Sequence, residues 1–317
     1  MKKYKLTNET IVHFGITLYR IEALMDFSDV KAGDKGGFVQ SENNLSQLCN
    51  AWVYGNAKVY GNAKVYDNAN VYDNSEVYGD AEVYGNANVF VDAKVFGNAS
   101  VCGNASVFGS AKVFDYAKVY NNAKVCGNAS VFCDAKVYGN AMVYSDAKVC
   151  GDAEVYGRAE VFDNAEVYDN AKVFGNANVF GDAEVYDNAE VCGDANVYGF
   201  ANVYGNAKVY ENVKVRGNAD VYGKAEVSGD AEVYGKAEVR GDAKVYKNSD
   251  YIVFKNWWSS GRYFTWTRSN KMWKVGCFYG NGEELIRKAY ADSEESGREY
   301  ERVVRYVESI LADELNK

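Results

Sequence analysis

The chain of 317 residues contains no proline and one histidine, His13. An excess of Tyr, Val, Ala, Asn and Gly fills the space. That composition fits neither a disordered chain nor an average globular one, and it reads as β-rich and repetitive. A single histidine excludes a three-histidine zinc site. The seven cysteines (Cys49, Cys102, Cys126, Cys133, Cys150, Cys192 and Cys277) form no CxxC pair. No stretch is apolar for long enough to span a bilayer. MKKYKLTNET leads into no apolar run of the kind a signal peptide needs. These features predict a cytoplasmic protein with reduced thiols. Basic residues are in deficit. The net charge of −9 excludes a general grip on nucleic acid. The Gly-rich segments lack a following GK[ST], so they are not phosphate loops. The GGxGxDxxx nonapeptide of calcium-binding β-rolls is also missing.

What is present is a strict six-residue repeat. Valine recurs at every sixth position from Val53 to Val245, giving 33 hexads without insertion or deletion. The unit is A-x-V-[YF]-[GD]-[ND]. Ala57, Lys58, Val59 and Tyr60 alternate in the period-two manner of a strand. Alanine and valine then share one face, and lysine and tyrosine the other. Gly61-Asn62 supplies residue types that tolerate left-handed backbone angles at a corner. Each hexad therefore predicts a four-residue strand and a two-residue bend. Bends this short wind the chain into a coil whose strands pair in parallel, one turn apart.

The pairs Val59 with Ala63 and Val65 with Ala69 resemble the [LIV]-x-x-x-[STAV]-x pattern of the hexapeptide-repeat superfamily. The resemblance covers about 200 residues. It implies an all-β solenoid, a left-handed parallel β-helix with three hexads per triangular turn. That gives about 11 coils in a prism roughly 50 Å long, from a strand spacing near 4.8 Å. On one face, the residues preceding valine alternate in sign from Lys136 through Glu154, Lys172, Glu190, Lys208 and Glu226 to Lys244. Stacked neighbours prefer such alternation. The other faces would set Lys94 beside Lys112 and Glu166 beside Glu184, so charge supports the 18-residue turn on one face only.

The flanks divide the chain into an N-terminal β cap (1–50), the β-helix (51–250) and a small C-terminal α+β domain (251–317). TIVHFGITLYRI predicts a hairpin. YIVFKNWW, GRYFTWT and MWKVGCFYG predict strands, with a turn at Arg268–Lys271. GNGEELIRKAYADS and SGREYERVVRYVESILADEL predict two amphipathic helices. NETIVHFGITLYRI, GDKGGFVQSENNLS and WWSSGRYFTWTRSNKMWKVGCFYG resemble the ends of hexapeptide-repeat proteins of phages and prophages of Gram-positive gut bacteria. This resemblance implies a phage-linked origin and no established activity.

Hexapeptide-repeat acyltransferases use a histidine base. The only histidine here lies outside the coils, so the expectation is a protein that is not an enzyme and carries no cofactor or metal. Of the 33 positions after valine, 18 are Tyr and 8 are Phe. Such ladders stabilise stacked coils or form an interface. Residues 51–250 carry a net charge of −10. An acidic rod of this kind could mimic a nucleic acid and inhibit a bacterial defence component, with Glu154, Glu190 and Glu226 as the candidate charged face. Residues 251–282 hold five bases and no acid. There Trp257, Trp258, Arg262, Trp266, Arg268, Lys271, Trp273 and Lys274 are candidates for gripping a partner or single-stranded bases. The leading expectation is a protein partner, with homo-oligomerisation as a dimer or trimer open. A hexapeptide-type acyltransferase and a structural or adhesive phage component are the competing readings.

Overall fold

A computed structural model describes residues 2–258 and 261–315. Each hexad contributes one strand, and the strands sort into three parallel sheets. Every register steps by one turn of three hexads: Val53 pairs with Val71, Val59 with Val77 and Val65 with Val83. The result is a parallel β-solenoid of eleven three-sided hexad coils. The hexad valines and alanines are buried throughout, with at most 1 % of their surface exposed. They form one continuous core. Alanine keeps that core narrow, and each buried valine contributes about 1.5–3 kcal/mol.

Most ladders are two residues long rather than four. The alanine belongs to the corner instead, because its N–H closes a turn onto the residue three before it, as in Ala57 N–H to the Tyr54 carbonyl at 3.1 Å. Longer strands occur only at Asn178–Gly181, Asn196–Gly199 and Lys214–Gly217 among the hexads. At the corner, the second residue after valine adopts positive φ, 68° at Gly61 and 58° at Asp67.

The 18-residue turn holds on all three faces. Lys94 does pair with Lys112, and Glu166 with Glu184. Other partners relieve the like charges. Lys94 leans toward Glu76 at 3.8 Å, Lys148 meets Glu166 at 2.7 Å, and the Tyr168 hydroxyl donates to Glu184 at 2.7 Å.

The N-terminal residues extend one sheet to fourteen strands. β1 (Tyr4–His13) and β2 (Ile16–Ala23) form an antiparallel hairpin, and β2 pairs with β3 (Lys35–Val39). β3 then runs parallel to Lys58–Val59, and Leu45 bridges Val65. Residues 35–50 thus add a further turn that carries no hexad. Gly36 and Gly37 allow it to close, since a Cβ would stand 2.5 Å from the Val53 carbonyl and 2.6 Å from that of Ala57.

Beyond the last hexad strand, Tyr251–Lys255, Tyr263–Thr267, Met272–Val275 and Phe278–Gly280 form a four-stranded antiparallel meander. Helices α1 (Gly282–Asp292) and α2 (Glu294–Leu315) pack on it around a second core that includes Phe264, Trp266, Trp273 and Val304. The turn at 268–271 forms as expected. Ser259 and Ser260, within the WWSSGRYFTWT stretch, lie outside the described residues.

Candidate interaction surfaces

The outward ladders are occupied mainly with one another. Aromatic rings stack from coil to coil with centroids 4.8–4.9 Å apart and nearly parallel planes, as at Tyr78, Phe96, Phe114 and Phe132. Many tyrosine hydroxyls donate to a glutamate of the next coil, sixteen residues on. Tyr66 reaches Glu82 at 3.1 Å, Tyr138 reaches Glu154 at 3.1 Å, and Tyr144 reaches Glu160 at 2.9 Å. Burial, and then the glutamate, raise the pKa of these phenols. The sequence holds the signal for this device: tyrosine stands sixteen residues before seven of the ten glutamates that precede a hexad valine. Asparagines do the same at one corner, where Asn50, Asn68, Asn86, Asn104, Asn122 and Asn140 form a continuous amide ladder.

The Glu154 face is locally balanced. Lys136 pairs with Glu154 at 2.9 Å, Lys208 with Glu190 at 3.5 Å and Lys244 with Glu226 at 3.2 Å. The acidic surplus lies at the corners instead. The corner column after the Val59 strands carries seven carboxylates and one base, Lys224. Asp134, Asp152 and Asp169 in that column are exposed.

The basic aromatic candidates of the C-terminal region do not share one surface. Trp266 and Trp273 are buried in the second core, with 3 % and 2 % of their surface exposed. Lys274 is buried too. It bonds Glu238 of the rod at 2.8 Å and the Gly276 carbonyl. Arg268 reaches the Ser249 carbonyl at 3.2 Å and Glu314 at 2.6 Å. These four side chains join the cap to the rod or fill its interior. Trp257 is 82 % exposed, and Arg262 and Lys271 are exposed. Trp258 packs edge-on to Tyr300, and its Nε1 is buried without a hydrogen-bond partner among the described residues. A cavity of about 330 Å³ opens beside Trp266, Trp273 and Lys271, walled by Val304, Val307 and Leu311 of α2.

His13 lies at the hairpin tip, with Nε2 3.3 Å from the buried Glu76 carboxylate. Tyr60 donates to the same oxygen at 3.1 Å. His13 therefore fastens the hairpin to the second coil. Cys126, Cys150 and Cys192 sit in the aromatic columns, and burial raises their thiol pKa values, that of Cys150 to about 11. Such thiols stay protonated and unreactive at neutral pH.

Lys3 carried no signal in the sequence. Its buried ammonium spans the carbonyls of Leu48, Cys49 and Ala51 at 3.3, 3.3 and 2.8 Å. Burial lowers its pKa to about 8.

No protein-family model matches the chain, and no curated protein matches its sequence. No described helix is long and apolar enough to cross a membrane.

Proposed function

We propose that the chain is a non-enzymatic binding protein of phage or prophage type that contacts a protein partner in the host cytoplasm. In this reading the rod, wound left-handed as the hexapeptide resemblance implies, is a spacer, and its ends carry recognition. The distribution of exposed apolar side chains carries the reading. Among the described residues, five large hydrophobic residues are exposed within residues 1–50, three within 251–317, and five along the whole of 51–250, two of which, Tyr234 and Tyr246, lie in the last coils. Val12 and Phe14 at one end are 74 % and 82 % exposed, and Trp257 at the other is 82 % exposed. Clustered exposed apolar groups mark contact sites, and aromatic anchors dominate their energetics. The ladders between them already satisfy much of their own polar and aromatic surface.

Affinity capture from a bacterial lysate, with identification of the retained protein, tests this. Trp257→Ala or Phe14→Asn abolishes retention of the partner, whereas Tyr120→Phe in mid-rod leaves it unchanged. Retention that survives both end variants would contradict the reading. Histidine-dependent acyl transfer to a supplied hydroxyl or amine acceptor, lost in His13→Ala, would revive the acyltransferase alternative.

Charge mimicry is the competing reading, in which the partner contacts the rod itself. The exposed corner carboxylates support it better than the lysine-paired Glu154, Glu190 and Glu226. Reversing Asp134, Asp152 and Asp169 to lysine weakens capture more than reversing the three glutamates. Equal or inverted effects remove mimicry by that corner.

A further inference from the structure

β1 is the terminal strand of the fourteen-stranded sheet, so one of its edges faces away from β2. The direction of each backbone group on that edge follows from the register. His13 pairs with Ile16 across a two-residue turn in which Phe14 and Gly15 have φ of 48° and 78°. The closing pair of such a turn is hydrogen-bonded. Antiparallel pairs then alternate, so Val12 opposite Thr17 and Thr10 opposite Tyr19 are non-hydrogen-bonded pairs. The N–H and C=O of Thr10 and Val12 consequently point outward. At the other end of β1 the corresponding outward groups belong to Tyr4, and the Gln47 side chain covers both at 3.2 Å. Among the described residues no side chain covers Thr10 or Val12 in that way.

Three properties select what pairs there. The last four residues of β1, Thr10 to His13, contain no Asp, Glu, Lys or Arg, and the strand's charges, Lys5 and Glu9, stand N-terminal to them. Edge strands normally carry charge or proline to prevent pairing. Phe14 occupies left-handed backbone space at the apex, where Asn, Asp or Gly is the unstrained choice. Its ring is also almost wholly exposed. Finally, a two-fold axis through Ile11 maps the edge onto itself. Thr10 then exchanges two hydrogen bonds with Val12 of another copy, and Val12 with Thr10. An isologous contact requires that self-complementarity. It also brings together two chains of net charge −9 at an uncharged segment.

We propose that Thr10–Val12 is the seat of a homodimer, in which the β1 edges of two copies pair antiparallel and the exposed Val12 and Phe14 side chains pack across the axis. In this dimer Val12 and Phe14 are covered, so of the two ends named above only the Trp257 end is left to a foreign partner. A strand offered by a different protein is the alternative occupant.

The outward N–H of Val12 gives a clean test. Proline there removes no bond to β2, and edge strands tolerate such a proline. Light scattering behind size exclusion is expected to give twice the chain mass for the full-length protein. Val12→Pro is expected to give the single-chain mass, with unchanged far-UV circular dichroism. Should Val12→Pro disturb the fold, Val12→Lys is expected to separate the copies by charge. Hydrogen exchange reads the same contact without substitution: the amides of Thr10 and Val12 are protected at high protein concentration and lose at least tenfold in protection on dilution. A single-chain mass at all concentrations, a dimer that persists in a folded Val12→Pro or Val12→Lys protein, or concentration-independent exchange would each overturn the proposal. A single-chain mass would transfer the edge to a foreign strand.

Discussion

At the corners, the N-terminal end of the rod stops on carbonyl oxygens and the C-terminal end stops on N–H groups. The corner bonds explain why: Asn68 N–H donates to Gly85, and Asn86 N–H to Gly103, each from one coil to the next. These bonds leave chiefly acceptors at the N-terminal end and chiefly donors at the C-terminal end, and the two caps differ accordingly. The first brings donors, the Lys3 ammonium and the Asn44 amide, which reaches the Gly61 and Ala63 carbonyls at 3.0 and 2.9 Å. The second brings acceptors to the N–H groups, and the Tyr251 and Tyr279 hydroxyls to the Glu232 and Arg240 carbonyls at 2.8 and 3.2 Å. Asn248 Oδ1 takes Glu232 N–H at 2.7 Å, Thr265 Oγ1 takes Glu238 N–H at 2.9 Å, and Ser269 Oγ takes Lys244 N–H at 2.6 Å. One acceptor serves each sheet. The N-terminal cap adds one buried ammonium to the backbone N–H groups of Phe38, Gln40 and Ser46, whereas the C-terminal cap meets one N–H of each sheet with a neutral side chain.

That asymmetry sets the order of expected effects. Lys3→Ala strands the buried Ala51 carbonyl and removes the partner of two half-buried ones, and should cost about 3 kcal/mol in urea unfolding. Thr265→Val strands one N–H and should cost about 1–2 kcal/mol. Equal losses would break the contrast. Titration sharpens it. Lys3 has a folded pKa of about 8, below its unfolded value, so the unfolded chain binds more protons between pH 8 and about 10.4. Its contribution to stability therefore rises across that window, and Lys3→Ala should flatten the rise. The raised phenol pKa values of Tyr66 and Tyr138 act oppositely. Their contribution is complete below about pH 10 and is lost as pH climbs through their folded values. Melting followed from pH 7 to 11 separates the two. Smallest is Tyr138→Phe, which keeps the stacked ring, loses the bond to Glu154 and should cost about 0.5 kcal/mol.

The hexads were legible in the sequence because each repeats one local rule: valine and alanine in, glycine or aspartate at the corner. The non-hexad first turn was hidden, since Phe38, Val39 and Leu45 join the solenoid only through distant partners. Charge misled on the period, because Lys94 beside Lys112 looked costly until Glu76 came within reach of Lys94. Within the C-terminal cluster, composition could not tell the buried Trp266 and Trp273 from the exposed Trp257. Alternation along the Tyr263–Thr267 strand gives no warning, because its last four residues are all buried. Lys3 was unreadable for a related reason: its acceptors lie more than forty residues away.

The central claim is that the middle of the rod spaces two recognition ends. Deleting Ala129–Asp146 removes one whole coil and rejoins Asn128 to Ala147 in the same hexad phase. Capture from lysate by this shortened chain tests the claim most directly. The account predicts an unchanged circular dichroism shape and retention of the same partner as the full chain. A folded, shortened chain that no longer retains it would place recognition on the rod itself and contradict the account.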